Sequence, residues 1–199
     1  MLIYDIETAL THLHPDAPPN DPAMRKAAVA LILRERNPDR TDVLFIRRAE
    51  KPGDPWSGHM AFPGGHHDPS DASLLDTASR EAYEEIGLDL AAAGRHLGAL
   101  PHHEAMPRGR PTGMLIVPHV FEVTKETALR PNHEVAEIVW TPLAPIVSGE
   151  IHTTEDRIVA GTPTTFNGYR VNGGHFVWGL TYRILHSLFA LVNPSWRAP

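Results

Sequence analysis

The chain has 199 residues, 42% apolar and 21% charged, which is enough for one folded domain with a sizeable core and argues against disorder throughout. Its 18 basic residues face 24 acidic ones, and the net charge of -6 argues against bulk electrostatic capture of nucleic acid or of an anionic membrane surface. There is no cysteine, so disulfide scaffolds, thiolate metal sites and thiol nucleophiles are excluded.

The opening MLIYDIETALTHLHPD lacks the basic and apolar regions of a secretory signal, and no apolar run approaches the ~20 residues needed to span a bilayer. The expectation is a soluble, cytoplasmic protein without a membrane partner. The prolines and acids of HPDAPPNDPAM cannot continue a helix, so residues 1–24 read as a short helical arm and linker before a domain over 25–199. Runs at 27–33 and 42–47, separated by the turn-rich ERNPDRT, predict two antiparallel strands. The stretch KPGDPWSGHMAFPGGHHDPSD that follows is dense in Gly and Pro, which marks a functional loop.

The period then changes. Leu75, Ala78, Ala82 and Ile86 fall on one helical face over 72–86, with Asp71 or Ser73 to cap the start and Gly87 to stop the end. Further strands are expected at 96–100, 114–123 and 135–140, with others between 151 and 171, and a last helix over 176–191. Strands mixed with two or three helices, without regular alternation, predict an α+β fold.

The helix carries Arg80, Glu81, Glu84 and Glu85 in REAYEEIG. At about 100° per residue the three glutamates share one arc beside the apolar face. Crowded carboxylates repel, and a hard divalent cation such as Mg²⁺, which takes oxygen ligands, relieves that repulsion. An exposed charged face with Arg80 paired to Glu84 accounts for this run alone equally well. The neighbouring Gly64 and Gly65 allow a loop backbone to approach a ligand closely.

The segment 65–88 resembles the Nudix box, G-x5-E-x7-R-E-U-x-E-E-x-G-U with U aliphatic. Gly65 matches its first glycine, Arg80 and Glu81 its RE pair, Glu84 and Glu85 its EE pair, and Gly87 with Leu88 its end. Asp71 stands where a glutamate is expected, and eight residues rather than seven separate it from Arg80. The run 58–65, GHMAFPGG, is similar to the G-x3-F-P-G-G ending of the signature of the coenzyme A pyrophosphatase branch. DPSD before the helix and FVWG at 176–179 are also similar to that branch, while Asp54 stands four residues before Gly58 where it has an arginine.

The resemblance implies a Nudix-type α/β/α sandwich with a mixed central sheet, acting as a diphosphatase with Mg²⁺ or Mn²⁺ as cofactor. It implies Glu81 and Glu85 as principal metal ligands, Glu84 as a further ligand or water-linked acid, and the Gly64 carbonyl as another ligand. Arg80 orients a box glutamate, and the general base is Glu81 or Glu134 in PNHEVAEIVW. The implied substrate is coenzyme A or an acyl derivative. The rivals are a nucleotide sugar, a dinucleotide, or a non-catalytic module that binds a nucleotide and regulates a partner.

Arg48, Trp56, His59 and Phe62 are candidate substrate contacts: Arg48 by pairing with phosphate, Trp56 by stacking or as a packing anchor of its loop. Trp140 and Trp178, among aliphatic residues, are expected in the core. The 13 histidines include adjacent pairs at His66-His67 and His102-His103, a spacing that does not suit one shared zinc ion. Arg108 and Arg110 form a small basic loop, read as solvated. A homodimer built partly from the N-terminal arm is expected because that arm is otherwise poorly anchored.

Overall fold

The computed structural model describes residues 3–15, 18–19, 21, 24–54, 56–106, 112–159 and 161–199. Parts of the linker, together with Arg108 and Arg110, lie outside the described residues.

The long strands β1 (Arg25–Asn37) and β2 (Arg40–Arg48) pair as the expected antiparallel hairpin. They join β3 (Met60–Ala61), β4 (Gly64–His66), β5 (Gly94–Ala99), β6 (His103–Glu104), β7 (Met114–Val123) and β8 (Val135–Pro142) in one sheet. Its main path runs β3-β2-β1-β7-β5, with β4 beside β1, β6 beside β7 and β8 beside β2. Strand β7 runs parallel to β1 and antiparallel to β5, so the sheet is mixed.

The two-residue period of the central strands sets the layers. Ala28, Ala30 and Ile32, with Leu44 and Ile46, meet Ala78, Ala82 and Ile86 of helix α2 (Leu74–Ile86). The alternate residues Leu31, Leu33, Val43 and Phe45 face the other way. They meet Ile3, Ile6 and Leu10 of α1 (Ile3–Thr11) and Ile184, Leu185 and Leu188 of a C-terminal helix over Gly179–Val192. The result is the expected α+β sandwich, with helices on both faces of a mixed sheet.

Helix α2 begins at Ser73, whose hydroxyl accepts the Asp76 N–H at 3.2 Å, and ends at Gly87 with φ 67°, a left-handed conformation that favours glycine. Two short helices were not foreseen, α3 (Leu90–Ala93) and α4 (Leu143–Ser148).

Two expectations are corrected. The N-terminal helix is not a loosely held arm: Ile3, Ile6 and Leu10 are buried in the larger core cluster, and Arg95 on β5 pairs with Glu7. That removes the reason given for a dimer through the arm. Ile6→Ala should therefore destabilise the chain by about 2–4 kcal/mol, because a fully buried side chain leaves a cavity. Urea unfolding checks this, and a loss near zero would mean that the helix packs only loosely.

The second correction concerns the C-terminal segment. Residues Phe176–Trp178 form a strand, β11, rather than the first turn of the last helix. With β9 (His152–Val159) and β10 (Thr162–Arg170) it makes a separate three-stranded sheet in the order β11-β10-β9. Helix α5 starts only at Gly179, whose φ is 62°.

Candidate catalytic site

The site is built where α2 passes the strand β4. Gly64 and Gly65 lie in ladder with Val29 and Ala28 of β1. A Cβ at Gly64 would stand 2.4 Å from the Ala28 carbonyl oxygen, so that close approach requires glycine. The Gly64 N–H donates to Glu85 Oε2 at 2.9 Å. The resemblance implied the Gly64 carbonyl as a metal ligand; the contact that Gly64 makes with Glu85 in the structure is through its amide.

Glu85 is only 2% exposed. Burial pushes its carboxyl up to about 7, against the opposing hydrogen bond from Gly64. Glu81 is half-buried and also raised, first by burial and then by neighbouring acids, although Arg80 opposes the shift. Glu84 is exposed. The three acids that share one arc in the sequence thus occupy three different environments.

Arg80 ties two of them, Glu81 and Glu84, to the preceding loop. Its Nη1 donates to Glu81 Oε1 at 3.0 Å and to Glu84 Oε2 at 3.1 Å. Its Nε and Nη2 reach the two oxygens of Asp71 at 2.9 and 3.1 Å, and Nη2 also donates to the His66 carbonyl at 3.1 Å. The simple i,i+4 pair is therefore present, but as one contact of five. Asp71, read only as a departure from the box or a possible cap, is the anchor of this arginine. It is 5% exposed at its side chain and also accepts the Thr77 hydroxyl at 2.8 Å.

Gly65 is needed for a different reason. A Cβ there would stand 2.4 Å from Glu81 Oε1 and 2.6 Å from its Cδ. Gly65→Ala should push the Glu81 carboxylate aside and reduce turnover by on the order of 10-fold or more, since displacements near ~1 Å are costly in a positioned site. Steady-state kinetics with an active diphosphate checks this, and a parent-like rate would remove Glu81 from the chemistry.

Glu134 is brought to the same place by the chain before β8. Arg130 N–H donates to the Ile86 carbonyl at 2.8 Å and Asn132 N–H to the Glu85 carbonyl at 2.9 Å, docking this loop on the end of α2. Asn132 Oδ1 then accepts the Glu134 N–H at 2.8 Å. Glu134 lies within electrostatic reach of both Glu81 and Glu85. Nothing in the sequence signals the docking role of Asn132.

The expected substrate contacts separate. Arg48, at the end of β2, pairs with Asp54 at 2.8 Å and lies within electrostatic reach of Glu85. His59 rests edge-on against Trp178, with ring centroids 4.8 Å apart. Burial lowers its pKa, and Arg157 adds to the shift. Trp56 is exposed, its N–H held by Asp54 at 2.9 Å.

Phe62 is a correction. It is 3% exposed and stacks on Phe45 at 5.4 Å, so it belongs to the core and not to a substrate surface. The two tryptophans assigned to the core are only partly buried, and each is covered by a guanidinium instead of lying fully among apolar side chains: Arg34 over Trp140 at 3.8 Å and Arg157 over Trp178 at 4.8 Å.

Among the described residues, no three Asp, Glu or His side chains are gathered closely enough to hold a metal ion. Arg80 engages Glu81 and Glu84, and the Gly64 amide engages Glu85. In type, the donors still fit a hard cation: they are carboxylates, two of them raised by burial, beside a glycine-rich backbone. If Glu81 and Glu84 turned toward a cation, Arg80 would keep Asp71 and the His66 carbonyl. Among the described residues, no helix is long and apolar enough to cross a membrane.

A family model for the NUDIX domain matches residues 24–160. An uncharacterized Nudix hydrolase, NudL, of Pectobacterium atrosepticum is 32% identical over 151 residues, 74% of this chain and 74% of that protein. The mitochondrial coenzyme A diphosphatase NUDT8 of Homo sapiens is 31% identical over 164 residues, 79% of this chain and 65% of that protein. The chain spans about half the length of another relative, the uncharacterized protein C14C4.10c of Schizosaccharomyces pombe, with 32% identity over 161 residues, 72% of this chain and 49% of that protein.

Among solved structures, a MutT/nudix family protein from Enterococcus faecalis aligns with a TM-score of 0.54 at 18% identity, covering 94% of this chain and 68% of that one. A NUDIX hydrolase from Alicyclobacillus acidocaldarius aligns with a TM-score of 0.51 at 22% identity, covering 85% and 93%. These two carry the fold alone. Nudix hydrolases generally use a divalent metal. With the box residues gathered around Arg80 and a NUDIX domain matched over most of its length, the chain belongs to the Nudix hydrolase family.

Proposed function

We propose that the chain is a divalent-cation-dependent diphosphatase acting on coenzyme A or acyl-coenzyme A. The observation that carries this reading is the buried Glu85, held by the Gly64 N–H, on the same helix as Glu81 and Glu84, which Arg80 holds. The human relative's name and the GHMAFPGG run favour coenzyme A over other nucleoside diphosphate derivatives.

Glu81, Glu84 and Glu85, with the Gly64 carbonyl, would hold Mg²⁺ or Mn²⁺. When bound, such a cation lowers the pKa of water and neutralises charge on phosphate oxygens. The chain's own groups do the rest. Arg80, fixed by Asp71, holds the acids in register, and Glu81 or Glu134 takes the proton from the attacking water. Glu134 is the more accessible of the two, and its loop is tied to the end of α2 beside Glu85. Arg48 and His59 supply a cation and an imidazole on the loop side of the acids, suited to a phosphate-bearing substrate.

The test is a panel of diphosphates with product identification. Coenzyme A should give adenosine 3',5'-bisphosphate and a 4'-phosphopantetheine product, and activity confined to nucleotide sugars or dinucleotides would remove the coenzyme A reading. A non-catalytic nucleotide-binding module is the second reading. It is favoured by the Arg80 contacts that already occupy Glu81 and Glu84, and calorimetry showing nucleotide binding indifferent to Mg²⁺, with no turnover, would establish it.

A further inference from the structure

We propose that Asp54 is a positioning residue that tethers the Arg48 guanidinium away from the acidic cluster, so that Glu85 remains open to a cation, and Glu134 to a water, instead of closing into an ion pair. The proposal rests on the reading of that cluster as a cation site.

The backbone brings Arg48 to the acids. It is the last residue of β2 and lies opposite Val135, and the N–H of the next residue, Ala49, donates to the Glu134 carbonyl at 2.8 Å. Its side chain therefore leaves the sheet next to the segment that carries Glu134. A guanidinium at that point is attracted to each of the neighbouring carboxylates, and Glu85 already feels its charge.

It goes instead to Asp54, Nη2 to Oδ2 at 2.8 Å. Asp54 is fixed from its other side. Its Oδ1 accepts the Trp56 N–H at 2.9 Å, its N–H donates to the Lys51 carbonyl at 3.1 Å, and its carbonyl accepts the Ser57 N–H at 3.2 Å. The carboxylate is mostly buried, 13% exposed at the side chain. Burial alone would raise its pKa, but the hydrogen bonds from Arg48 and Trp56 outweigh this and hold it low, so it stays charged.

Arg48 is not placed there by satisfaction of its own donors, because its Nε is buried without a hydrogen-bond partner. A guanidinium with a free choice would fork onto one carboxylate with two donors. Asp54 therefore sets the geometry, and a cut tether lets Arg48 swing toward Glu85 and occupy an oxygen that a cation needs. The acid at position 54 does something that an arginine there could not.

The test is Mn²⁺ binding by calorimetry on the full chain, without substrate, for the parent, Asp54→Asn, Arg48→Gln and the double variant. Asp54→Asn should weaken Mn²⁺ by about 10-fold, the scale on which partners outside the coordination sphere act. Arg48→Gln should bind Mn²⁺ at least as tightly as the parent, because a positive charge beside Glu85 is removed, and the double variant should match Arg48→Gln to within about 2-fold, because the competing guanidinium is gone. The tether is overturned if Asp54→Asn binds like the parent. It is equally overturned if the double variant stays as weak as Asp54→Asn, because Asp54 would then act only by holding its loop. A parent that takes up no Mn²⁺ overturns the cation site itself, a result distinct from either.

Discussion

Glu85→Gln is expected to lose turnover by two orders of magnitude or more while the fold stays intact. The loss follows from the proposed role: Glu85 is the most buried of the three box acids, and on the reading of Glu85 as a metal ligand, removing its charge costs on the order of 10²-fold. Survival of the fold follows from the same burial. The carboxyl is pushed up to about 7, so its charged form is disfavoured in the folded chain, and a neutral amide of the same shape relieves that cost. The amide oxygen can still accept the Gly64 N–H. Thermal unfolding in a chelator should give a Tm no lower than the parent's. A variant that hydrolyses an active diphosphate at the parent rate would show that Glu85 has no part in the chemistry, and a variant that unfolds would show that its role is structural.

What the sequence made legible was what short-range periodicity encodes. Helix α2 repeats its apolar residues at helical spacing and is bracketed by Ser73 and Gly87, so its face, its ends and the arc of its acids follow from local rules. The strands β1, β2 and β7 are aliphatic runs bounded by turn residues; β7 falls at its expected limits, while β1 and β2 continue past theirs to Asn37 and back to Arg40, leaving only residues 38–39 as the turn.

What was not legible depended on partners distant in the chain. Phe176–Trp178 carry helical spacing into α5, yet three residues pair as β11 because β10 offers an open edge. Ile3, Ile6 and Leu10 already show an amphipathic repeat, but the prolines after them suggested an arm, and only the folded chain places their face against α5 and β5. Phe62 lies two residues from Gly64, and its burial against Phe45 depends on how β3 pairs with β2. The partnership of Asp71 with Arg80 spans the junction between loop and helix, where neither strand nor helix period applies.

That partnership carries the second large effect. Asp71→Ala should reduce turnover at least 10-fold and destabilise the fold by about 1–3 kcal/mol, the scale for losing hydrogen bonds to charged groups at a mostly buried position. With its anchor gone, Arg80 keeps only the His66 carbonyl and the box glutamates, and its full charge then holds Glu81 and Glu84 more tightly. Asp71→Glu should not rescue the site. The eight intervening residues already bring the shorter acid to 2.9 and 3.1 Å of the guanidinium, and an added methylene must be fitted into a nearly closed space. The pH dependence has a definite sign. The Arg80 hydrogen bonds hold Asp71 well below the usual carboxylate range, so its contribution is fully present above the unfolded aspartate pKa of about 3.9 and is lost as pH falls below it toward the depressed folded value. Urea unfolding at pH 7 and at pH 3 measures this: the gap between parent and Asp71→Ala should narrow at the lower pH. A gap of constant size would mean that the aspartate acts through shape alone, and a parent-like rate in Asp71→Ala would mean that Arg80 needs no anchor to hold its glutamates.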